Sequence, residues 1–335
     1  MPHDRPTRRP SPRTRLSIRS IRIRDPFIVP LPQRGEYVMF GTNMLDEIAG
    51  VAPGFNCFTS RDLQTWDGPI PVFRANPAFW GTKDYWAPEV HRWQGRWYML
   101  ASFISPGSRR GTHALVADRI EGPYEPLGTD PLTPKDWECL DGTLHVEDGK
   151  PWLVFCHEWV QVGDGAVYAM PLADDLSRPI GPPVLLFTAS QATWTRECGP
   201  HGGPGGPMGR VTDGPWLHRL ADGQLIMLWS SFGQSFEYCL AVVRSAAGVL
   251  GPWRHDPAPM LNDDGGHGML FRTFAGALHL ALHRPNGDGR ERAFFQPMDE
   301  SGSTLRLASA PAPAVAPACQ TPARRAASAR SGSRA

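Results

Sequence analysis

Arg24-Asp25-Pro26-Phe27-Ile28-Val29 is a short apolar run that begins with a carboxylate, and a second apolar run, Tyr37-Val38-Met39-Phe40, follows after Gly35. Two apolar runs joined across a glycine turn predict a β-hairpin. The arrangement returns four times, with first runs at residues 87–90, 141–144, 213–217 and 267–270, and second runs at residues 97–100, 152–155, 225–229 and 278–282. Five copies of one hairpin, with little helical periodicity between them, favour an all-β fold.

The spacing of the hairpins predicts the architecture. Their first residues lie 62, 54, 72 and 54 residues apart and are Asp25, Ala87, Asp141, Asp213 and His267. Each unit also contains two further apolar runs, which brings it to four strands. Four strands in a repeat of this length are typical of a propeller blade. We therefore expect a five-bladed β-propeller with four-stranded antiparallel blades around a central axis.

The two ends of the chain differ in composition from the rest. Residues 1–20 and 308–335 are rich in Arg, Pro, Ser or Ala and poor in large apolar side chains, which predicts disordered tails. The propeller is expected to occupy residues 21–307. Within it, residues 189–210 form the longest irregular stretch, and a loop of that length in a compact domain is usually functional or mobile.

Composition and charge exclude several classes of function. The 34 basic and 33 acidic residues nearly cancel, which does not favour a nucleic-acid or anionic-membrane partner. No apolar run has the roughly 18 residues of a transmembrane helix. No apolar segment of a signal peptide follows the basic N-terminus, so a cytoplasmic protein is expected. The six cysteines form no Cys-x-x-Cys pair, and Cys57, Cys156 and Cys239 are expected to be buried thiols. The oligomeric state is left open.

The first residues of the innermost strands are the candidate site. In a propeller these residues point toward the axial mouth, so Asp25, Asp141 and Asp213 should converge on one pit, with His267 arriving from the fifth blade. Glu89 lies two residues after the corresponding alanine of the second blade and shares its face of the strand. Carboxylates crowded in one concavity have pKa values that move apart, and one can then serve as an acid and another as a base.

Each of these aspartates also has a simpler interpretation. An Asp before Gly or Pro is ordinary turn chemistry, in which its side chain caps the backbone. That interpretation explains one Asp at one turn, but it does not explain why Asp falls at the start of the same strand in three units. Asp148 and Asp222, at hairpin tips, are examples that we interpret as turns alone.

Three further residues are weaker candidates for contact with substrate or an ion. Trp86 should lie at the rim of the pit, where its flat face could contact a sugar ring; packing between blades is the alternative. Glu158 ends a second strand and could reach the pit. His267 could be a satisfied core histidine, or it could hold an ion or a water molecule on the axis.

These motifs together resemble glycoside hydrolase family 43, the five-bladed propeller enzymes that act on arabinose- and xylose-containing glycans. The resemblance covers roughly residues 20–307. It is carried by Arg24-Asp25-Pro26-Phe27-Ile28, Tyr85-Trp86-Ala87-Pro88-Glu89-Val90, Leu140-Asp141-Gly142-Thr143-Leu144, Asp213-Gly214-Pro215 and Gly266-His267-Gly268.

The resemblance implies an inverting glycosidase whose partner is an oligo- or polysaccharide. Asp25 would be the general base that activates water, and Asp141 would orient the proton donor and tune its pKa. Asp213 stands where the family usually has the Glu that acts as general acid, and Glu89 stands where the family often has Asp. Glu158 and Glu197 are reserves for the acid. No cofactor is implied, although a structural calcium ion on the axis near His267 is a candidate.

Two other functions remain open. A propeller phosphorylase would replace the water-activating base with basic residues that bind phosphate, and Lys83, Arg272 and Arg284 would be candidates for that role. A non-catalytic propeller that binds a glycan would be favoured if an Asp at position 213 could not act as the acid.

Overall fold

A computed structural model of the chain describes residues 14–44 and 50–308. These residues form five antiparallel sheets arranged as the blades of a propeller, as predicted, and the strands of each blade follow one another up and down from the axis outward. The innermost strands of neighbouring blades contact one another around the axis. Among the described residues, no helix is long and apolar enough to cross a membrane.

In the first three blades the two inner strands fall where the apolar runs predict them, whereas the fourth strand of blade II begins after the predicted run at residues 122–124. Blade I contains β2 (Arg24–Leu31), β3 (Glu36–Thr42), β4 (Gly54–Ser60) and β5 (Thr65–Arg74), with β1 (Thr14–Ser17) outside β5. Blade II contains β6 (Lys83–Trp93), β7 (Arg96–Ile104), β8 (Gly111–Ala117) and β9 (Glu125–Pro126). Blade III contains β10 (Cys139–Glu147), β11 (Lys150–His157), β12 (Ala166–Pro171) and β13 (Val184–Thr188).

The last two blades repeat the pattern, and short helical turns connect some of the strands. Blade IV contains β14 (Asp213–Arg219), β15 (Leu225–Phe232), β16 (Tyr238–Ser245) and β17 (Trp253–His255). Blade V contains β18 (Gly266–Arg272), β19 (Leu278–Arg284), β20 (Arg292–Ser301) and β21 (Thr304–Leu307). Among the described residues, the helical segments are α1 (Trp159–Val162) and 3₁₀ turns at Ile18–Ser20, Pro32–Arg34 and Ala189–Gln191.

The predicted boundary of the N-terminal tail, residue 20, was wrong. Thr14–Ser17 pairs with β5, and the Arg15 guanidinium donates a hydrogen bond of 3.0 Å to Thr65 Oγ1. Leu16 packs against the apolar core of blade I, which a single leucine among polar residues did not reveal. The remainder of the predicted tails, residues 1–13 and 309–335, lies outside the described residues.

The core lies between neighbouring blades, where their apolar faces meet. Four apolar clusters fill these spaces, and Trp66 and Trp229 are completely buried in them. The three cysteines predicted to be buried are all buried as free thiols. Burial of large side chains between every pair of blades explains why the ring can stay together without strand exchange between its first and last blades.

Polar contacts join the last blade to the first. The Ile23 amide donates to the Glu291 carbonyl at 3.3 Å, and the Glu291 carboxylate lies 3.4 Å from a guanidinium nitrogen of both Arg22 and Arg24. Glu291 is 2% exposed. Charge pairing therefore contributes to the closure of the ring beside the axial end of β2.

The innermost hairpin of each blade contains the same irregularity. In each, the register of the first two strands shifts after the first residues of the inner strand. One residue there adopts a left-handed conformation, with φ between 44° and 55°, and these residues are Asp25, Ala87, Asp141, Gly214 and His267. A bulge of this kind turns the side chain that it carries away from the normal alternation of a strand.

The position of the bulge shows that the sequence alignment of blade IV was wrong by one residue. The left-handed residue there is Gly214, so Asp213 corresponds to Arg24 and Trp86 of the other blades and not to Asp25. The sequence alignment placed Asp213 one position too late, because it compared the aspartates and could not detect the backbone conformation.

Candidate active site

The axial mouth holds a cavity of about 290 Å³ to which all five blades contribute. Asp25, Asp141, Asp213, Trp86 and His267, all singled out from the sequence, line it. The other lining residues are Arg24, Thr42, Met44, Leu140 and Tyr238. The convergence predicted from the hairpin register is therefore present in the structure.

A ring of hydrogen bonds fixes the bulges to one another across the blade boundaries. In four blades the amide of the left-handed residue donates to a side chain near the end of the second strand of the preceding blade. These bonds are Ala87 N–Thr42 Oγ1 (2.8 Å), Asp141 N–Ser102 Oγ (2.9 Å), His267 N–Ser230 Oγ (2.8 Å) and Asp25 N–His283 Nδ1 (3.2 Å). The ring aligns the inner strands because a buried amide without an acceptor is costly.

Blade IV departs from this ring. The residue of β11 that corresponds to the four acceptors is Cys156, whose thiol is a weak acceptor. The Gly214 amide donates instead to Asp141 Oδ2 at 2.9 Å. This bond holds the Asp141 carboxylate beside blade IV and favours its ionised form.

Asp25 is held as a carboxylate by several donors and cations. The Thr42 hydroxyl donates to Asp25 Oδ2 at 2.6 Å, and His267 Nδ1 lies 3.2 Å from Oδ1. Burial acts to raise the pKa of Asp25, but His267 and Arg24 hold it well below its usual range. Asp25 is therefore ionised at neutral pH, as a general base must be.

His267 supplies the positive charge that the cluster of acids requires. Its Nδ1 lies 3.2 Å from Asp25 Oδ1 and 3.7 Å from Asp141 Oδ2. Burial acts to lower the pKa of His267, but the charges of Asp25, Asp141 and the other nearby carboxylates outweigh this effect. The pKa of His267 is therefore raised. A protonated His267 reduces the repulsion between Asp25 and Asp141.

Asp213 has the opposite environment to Asp25. Burial, reinforced by the charge of Asp141, raises the pKa of Asp213 to about 7. Burial also raises the pKa of Asp141, against the opposing effects of His267 and the Gly214 amide. Of these two coupled carboxyls, Asp213 is the better site for the proton, because Asp141 accepts the Gly214 amide and faces His267.

The Tyr238 hydroxyl determines which oxygen of Asp213 can carry the transferable proton. It donates to Asp213 Oδ2 at 3.0 Å, which assigns a proton on Asp213 to Oδ1. Tyr238 comes from the third strand of the blade, so no pattern in the inner strands indicated it.

The remaining carboxylates named from the sequence do not line the cavity. Glu89 is buried outside the cavity, and its carboxylate lies 3.1 Å from His91 Nε2. Strict alternation would place Glu89 on the same face as Ala87, but the bulge at Ala87 separates their side chains. Glu158 pairs with Arg110 at 3.4 Å, and burial raises its pKa to about 7. Glu197 is more than half exposed and pairs with Arg210 at 3.2 Å.

Trp86 lines the cavity and is held from behind by a cation. The guanidinium carbon of Arg110 lies 3.8 Å from the centre of a Trp86 ring. Arg110 is 7% exposed and also pairs with Asp84 at 2.9 Å. Trp86 thus stacks on a residue of its own blade and lines the cavity, and its contact with a sugar ring stays a prediction.

Arg24 is the basic residue that sequence reasoning missed. It precedes Asp25, lines the cavity, and donates to Asn286 Oδ1 at 2.9 Å. The bases proposed for a phosphorylase do not line the cavity: Arg272 pairs with Glu300 at 2.7 Å, Arg284 pairs with Asp263, and Lys83 is exposed.

The predicted ion on the axis has limited support from the side chains. In residues 14–44 and 50–308, no three His, Cys, Asp or Glu side chains converge in a geometry that could hold a metal ion. The contacts of His267 Nδ1 are with carboxylates. A calcium ion held through water near His267 stays a prediction.

Comparison with known proteins agrees with the fold. The family model described as glycosyl hydrolases family 43 matches residues 16–299. An endo-arabinase from Bacteroides thetaiotaomicron VPI-5482 is 40% identical, with a TM-score of 0.78 over 85% of this chain and 97% of that chain. A thermostable family-43 glycoside hydrolase is 19% identical, with a TM-score of 0.70 over 87% and 95% of the two chains, and shows the same fold.

A curated relative matches over a shorter length. The alpha-L-arabinofuranosidase 43 of Humicola insolens is 24% identical over 221 residues, which are 60% of this chain and 41% of the relative. The chain thus spans about two fifths of the curated relative that it matches. Because the family model covers most of the chain and all five inner strands, this protein belongs to the glycosyl hydrolases of family 43.

Proposed function

We propose that this chain is a glycoside hydrolase that cleaves arabinose- or xylose-containing glycans with inversion at the anomeric carbon. The observation that carries the proposal is the pair of oppositely perturbed aspartates in one cavity, Asp25 with a lowered pKa and Asp213 with a raised one. Such a pair supplies a base and an acid at the same pH. The names of the similar proteins support the choice of sugars.

In this mechanism Asp25 accepts a proton from the attacking water while Asp213 donates one to the leaving oxygen. Thr42 and His267 hold the Asp25 carboxylate, and Tyr238 orients the carboxyl of Asp213. Asp141 keeps the proton on Asp213, because its negative charge disfavours ionisation of a neighbouring carboxyl. Water would attack from the face opposite the leaving group, as an inverting enzyme requires.

Asp213 is one methylene shorter than the glutamate that the family usually has at this position. The bulge places Asp213 at the cavity, and Tyr238 fixes it there. We infer that the substrate lies closer to blade IV than it would with a glutamate. Glu158 has the required raised pKa, but its ion pair with Arg110 keeps it outside the cavity.

The test is hydrolysis of aryl α-arabinofuranoside and aryl β-xyloside with and without inorganic phosphate, followed by NMR of the anomer first released. We expect release that does not require phosphate and a product of inverted configuration. Release that depends on phosphate would identify a phosphorylase with Arg24 as a candidate phosphate ligand. No release from any pentoside, including oligosaccharides, would contradict the enzymatic proposal for these sugars.

A further inference from the structure

A second hollow lies on the mouth face of blade II, outside the cavity that holds the aspartates. Its volume is about 170 Å³, and Trp80, Arg109, Arg110, Pro131 and Lys135 are among the residues that line it. The loop between β9 and β10 supplies four of its eight lining residues, the loop between β7 and β8 supplies three, and the loop before β6 supplies Trp80. These loops meet at the axial mouth because β6 and β10 begin there and β7 returns there.

Trp80 forms a fixed aromatic wall in this hollow. Its indole nitrogen donates to His113 Nδ1 at 3.1 Å, and Phe79 and Phe103 pack against its ring. His113 is completely buried, and burial lowers its pKa to about 4, so that Nδ1 remains an acceptor at neutral pH. The half-buried indole therefore has a defined orientation before any ligand binds.

The charged groups of the hollow are already paired. Lys135 lies 2.8 Å from Asp130, Arg109 lies 3.0 Å from Glu138, and Arg110 is paired with Asp84 and Glu158. An anionic ligand such as phosphate would have to compete with these carboxylates. A flat aromatic side chain among paired polar groups suits a neutral, polyhydroxylated ring.

Arg110 connects the hollow with the catalytic cavity. It lines the hollow, and its guanidinium stacks on Trp86, which lines the cavity. Beyond the hollow, Asp130, Pro131, Pro134 and Lys135 also border a groove of about 490 Å³ between blades II and III. The hollow is therefore the concavity next to Trp86, whereas the groove leads away from the mouth, because Ser177 and Pro179 of its wall belong to the β12–β13 connection at the opposite end of blade III.

We propose that the hollow at Trp80 binds a sugar residue of the same neutral pentose glycan whose cleaved bond lies in the axial cavity. The proposal rests on the proposed function and deepens it: the substrate is a chain that extends over blade II, and a single sugar with a small leaving group uses only part of the site. Trp80 then determines preference for chain length.

The test compares kcat/KM for an aryl pentoside with kcat/KM for a linear hexasaccharide of the same sugar. We expect Trp80→Ala to lower the value for the hexasaccharide about tenfold more than the value for the aryl pentoside, as lost aromatic stacking would. Trp80→Phe should recover most of the preference for the hexasaccharide over the aryl pentoside. Trp93→Ala is the matched control, since Trp93 ends β6 at the opposite face of the same blade, and it should leave the preference unchanged.

Direct binding separates this inference from the catalytic proposal. In an Asp25→Asn background, α-1,5-arabinohexaose and β-1,4-xylohexaose are titrated calorimetrically with and without Trp80→Ala, and thermal unfolding confirms that each variant is folded. A roughly tenfold weaker Kd for the preferred chain supports the hollow as a subsite even if no turnover is found. The proposal would be overturned if the hexasaccharide bound equally well with and without Trp80→Ala and if Trp80→Ala lowered kcat/KM equally for the hexasaccharide and the aryl pentoside. This conclusion holds whether or not the aryl pentoside is cleaved.

Discussion

At the scale of single residues, the environments of the aspartates assign their roles. Asp25 is surrounded by donors and cations, whereas Asp213 faces the charge of Asp141 and receives one hydroxyl donor. Two side chains of the same type thus differ in protonation at neutral pH. The difference arises from their neighbours and not from their own chemistry.

Asp25→Asn should lower kcat by about 10³-fold or more, because an amide cannot accept the proton of water. Asn adopts the left-handed conformation of Asp25 readily, so the variant should fold. Asp148→Asn is the matched control, since Asp148 is also left-handed but lies at an exposed hairpin tip. An Asp25→Asn enzyme with normal turnover would contradict the assignment of the base.

Asp213→Asn should slow substrates with poor leaving groups much more than substrates with good ones, since good leaving groups need less protonation. The pH profile gives a second readout. Asp213 must be protonated, so kcat/KM of the wild type should fall as the pH rises through about 7. Asp25, whose pKa is lowered, remains ionised throughout this range.

The Asp213→Asn variant should lose that alkaline decline, because the group that titrates has been removed. Steady-state kinetics from pH 5 to 9 on two aryl pentosides of different leaving-group acidity would show both effects. Equal losses on both substrates with the decline retained would point to another acid, and Glu158→Gln would then be the next variant.

At the scale of elements, the bulge of the inner hairpin is the unit that builds the site. It repeats in all five blades, and in blades I, II, III and V its amide donates to a side chain of the second strand of the preceding blade. In blade IV the amide binds the catalytic cluster instead. The same local structure therefore serves packing in some blades and chemistry in another.

Gly214→Ala should reduce activity strongly. A Cβ at this position would lie 2.8 Å from the His267 ring, and the left-handed backbone is less favourable for alanine than for glycine. Displacement of His267 would also disturb Asp25. Ala87→Gly, at the corresponding position of blade II, should stay within about 1 kcal/mol of the wild-type stability.

Kinetics and urea unfolding of the two variants would test this pair of expectations. Activity of Gly214→Ala comparable to that of Ala87→Gly would show that the position of His267 is not critical.

Ser230→Ala should lower both stability and kcat. Ser230 accepts the His267 amide, and a buried amide without an acceptor costs about 1–3 kcal/mol. Ser231→Ala is the matched control, because Ser231 is adjacent, equally buried, and bonded to the Val211 carbonyl. Thermal unfolding should show a loss of stability in both variants, whereas kcat should fall mainly in Ser230→Ala. An equal kcat in the two variants would show that the ring of hydrogen bonds does not affect catalysis.

At the scale of the whole molecule, the propeller must close between blade V and blade I. The apolar clusters supply most of the contact, and Glu291 with Arg22 and Arg24 adds a charged contact near the axis. Because Arg24 also lines the cavity, closure and the shape of the site are connected.

Glu291→Gln should lower the free energy of unfolding by about 1.5–3 kcal/mol at pH 7, the usual range for hydrogen bonds to charged groups. Burial acts to raise the pKa of Glu291, but its own backbone amide and the two arginines lower it on balance. Its contribution is thus present above the ordinary value of 4.5 and is lost as the pH falls through the lowered pKa.

Denaturation of wild type and Glu291→Gln at pH 7 and at pH 3 would measure this difference and its decline. The control is Asp288→Asn, whose ion pair with Arg290 is exposed and should contribute little. A Glu291→Gln effect no larger than that of the control would show that the apolar clusters alone close the ring.

The sequence alone determined the number of blades, the order of the strands and three of the acids in the cavity, because apolar runs and turns repeat along the chain in the order in which they fold. Tertiary structure decided what spacing cannot encode. The bulge moved Asp213 by one position in register and turned Glu89 away from the cavity. Tyr238 and Arg24 line the cavity because strands and blades pack together, and the hollow at Trp80 is formed by loops that are distant in sequence. Periodicity specifies which strands form, but the direction of a side chain after a bulge, and the charge it meets there, depend on neighbours that only the closed ring brings together.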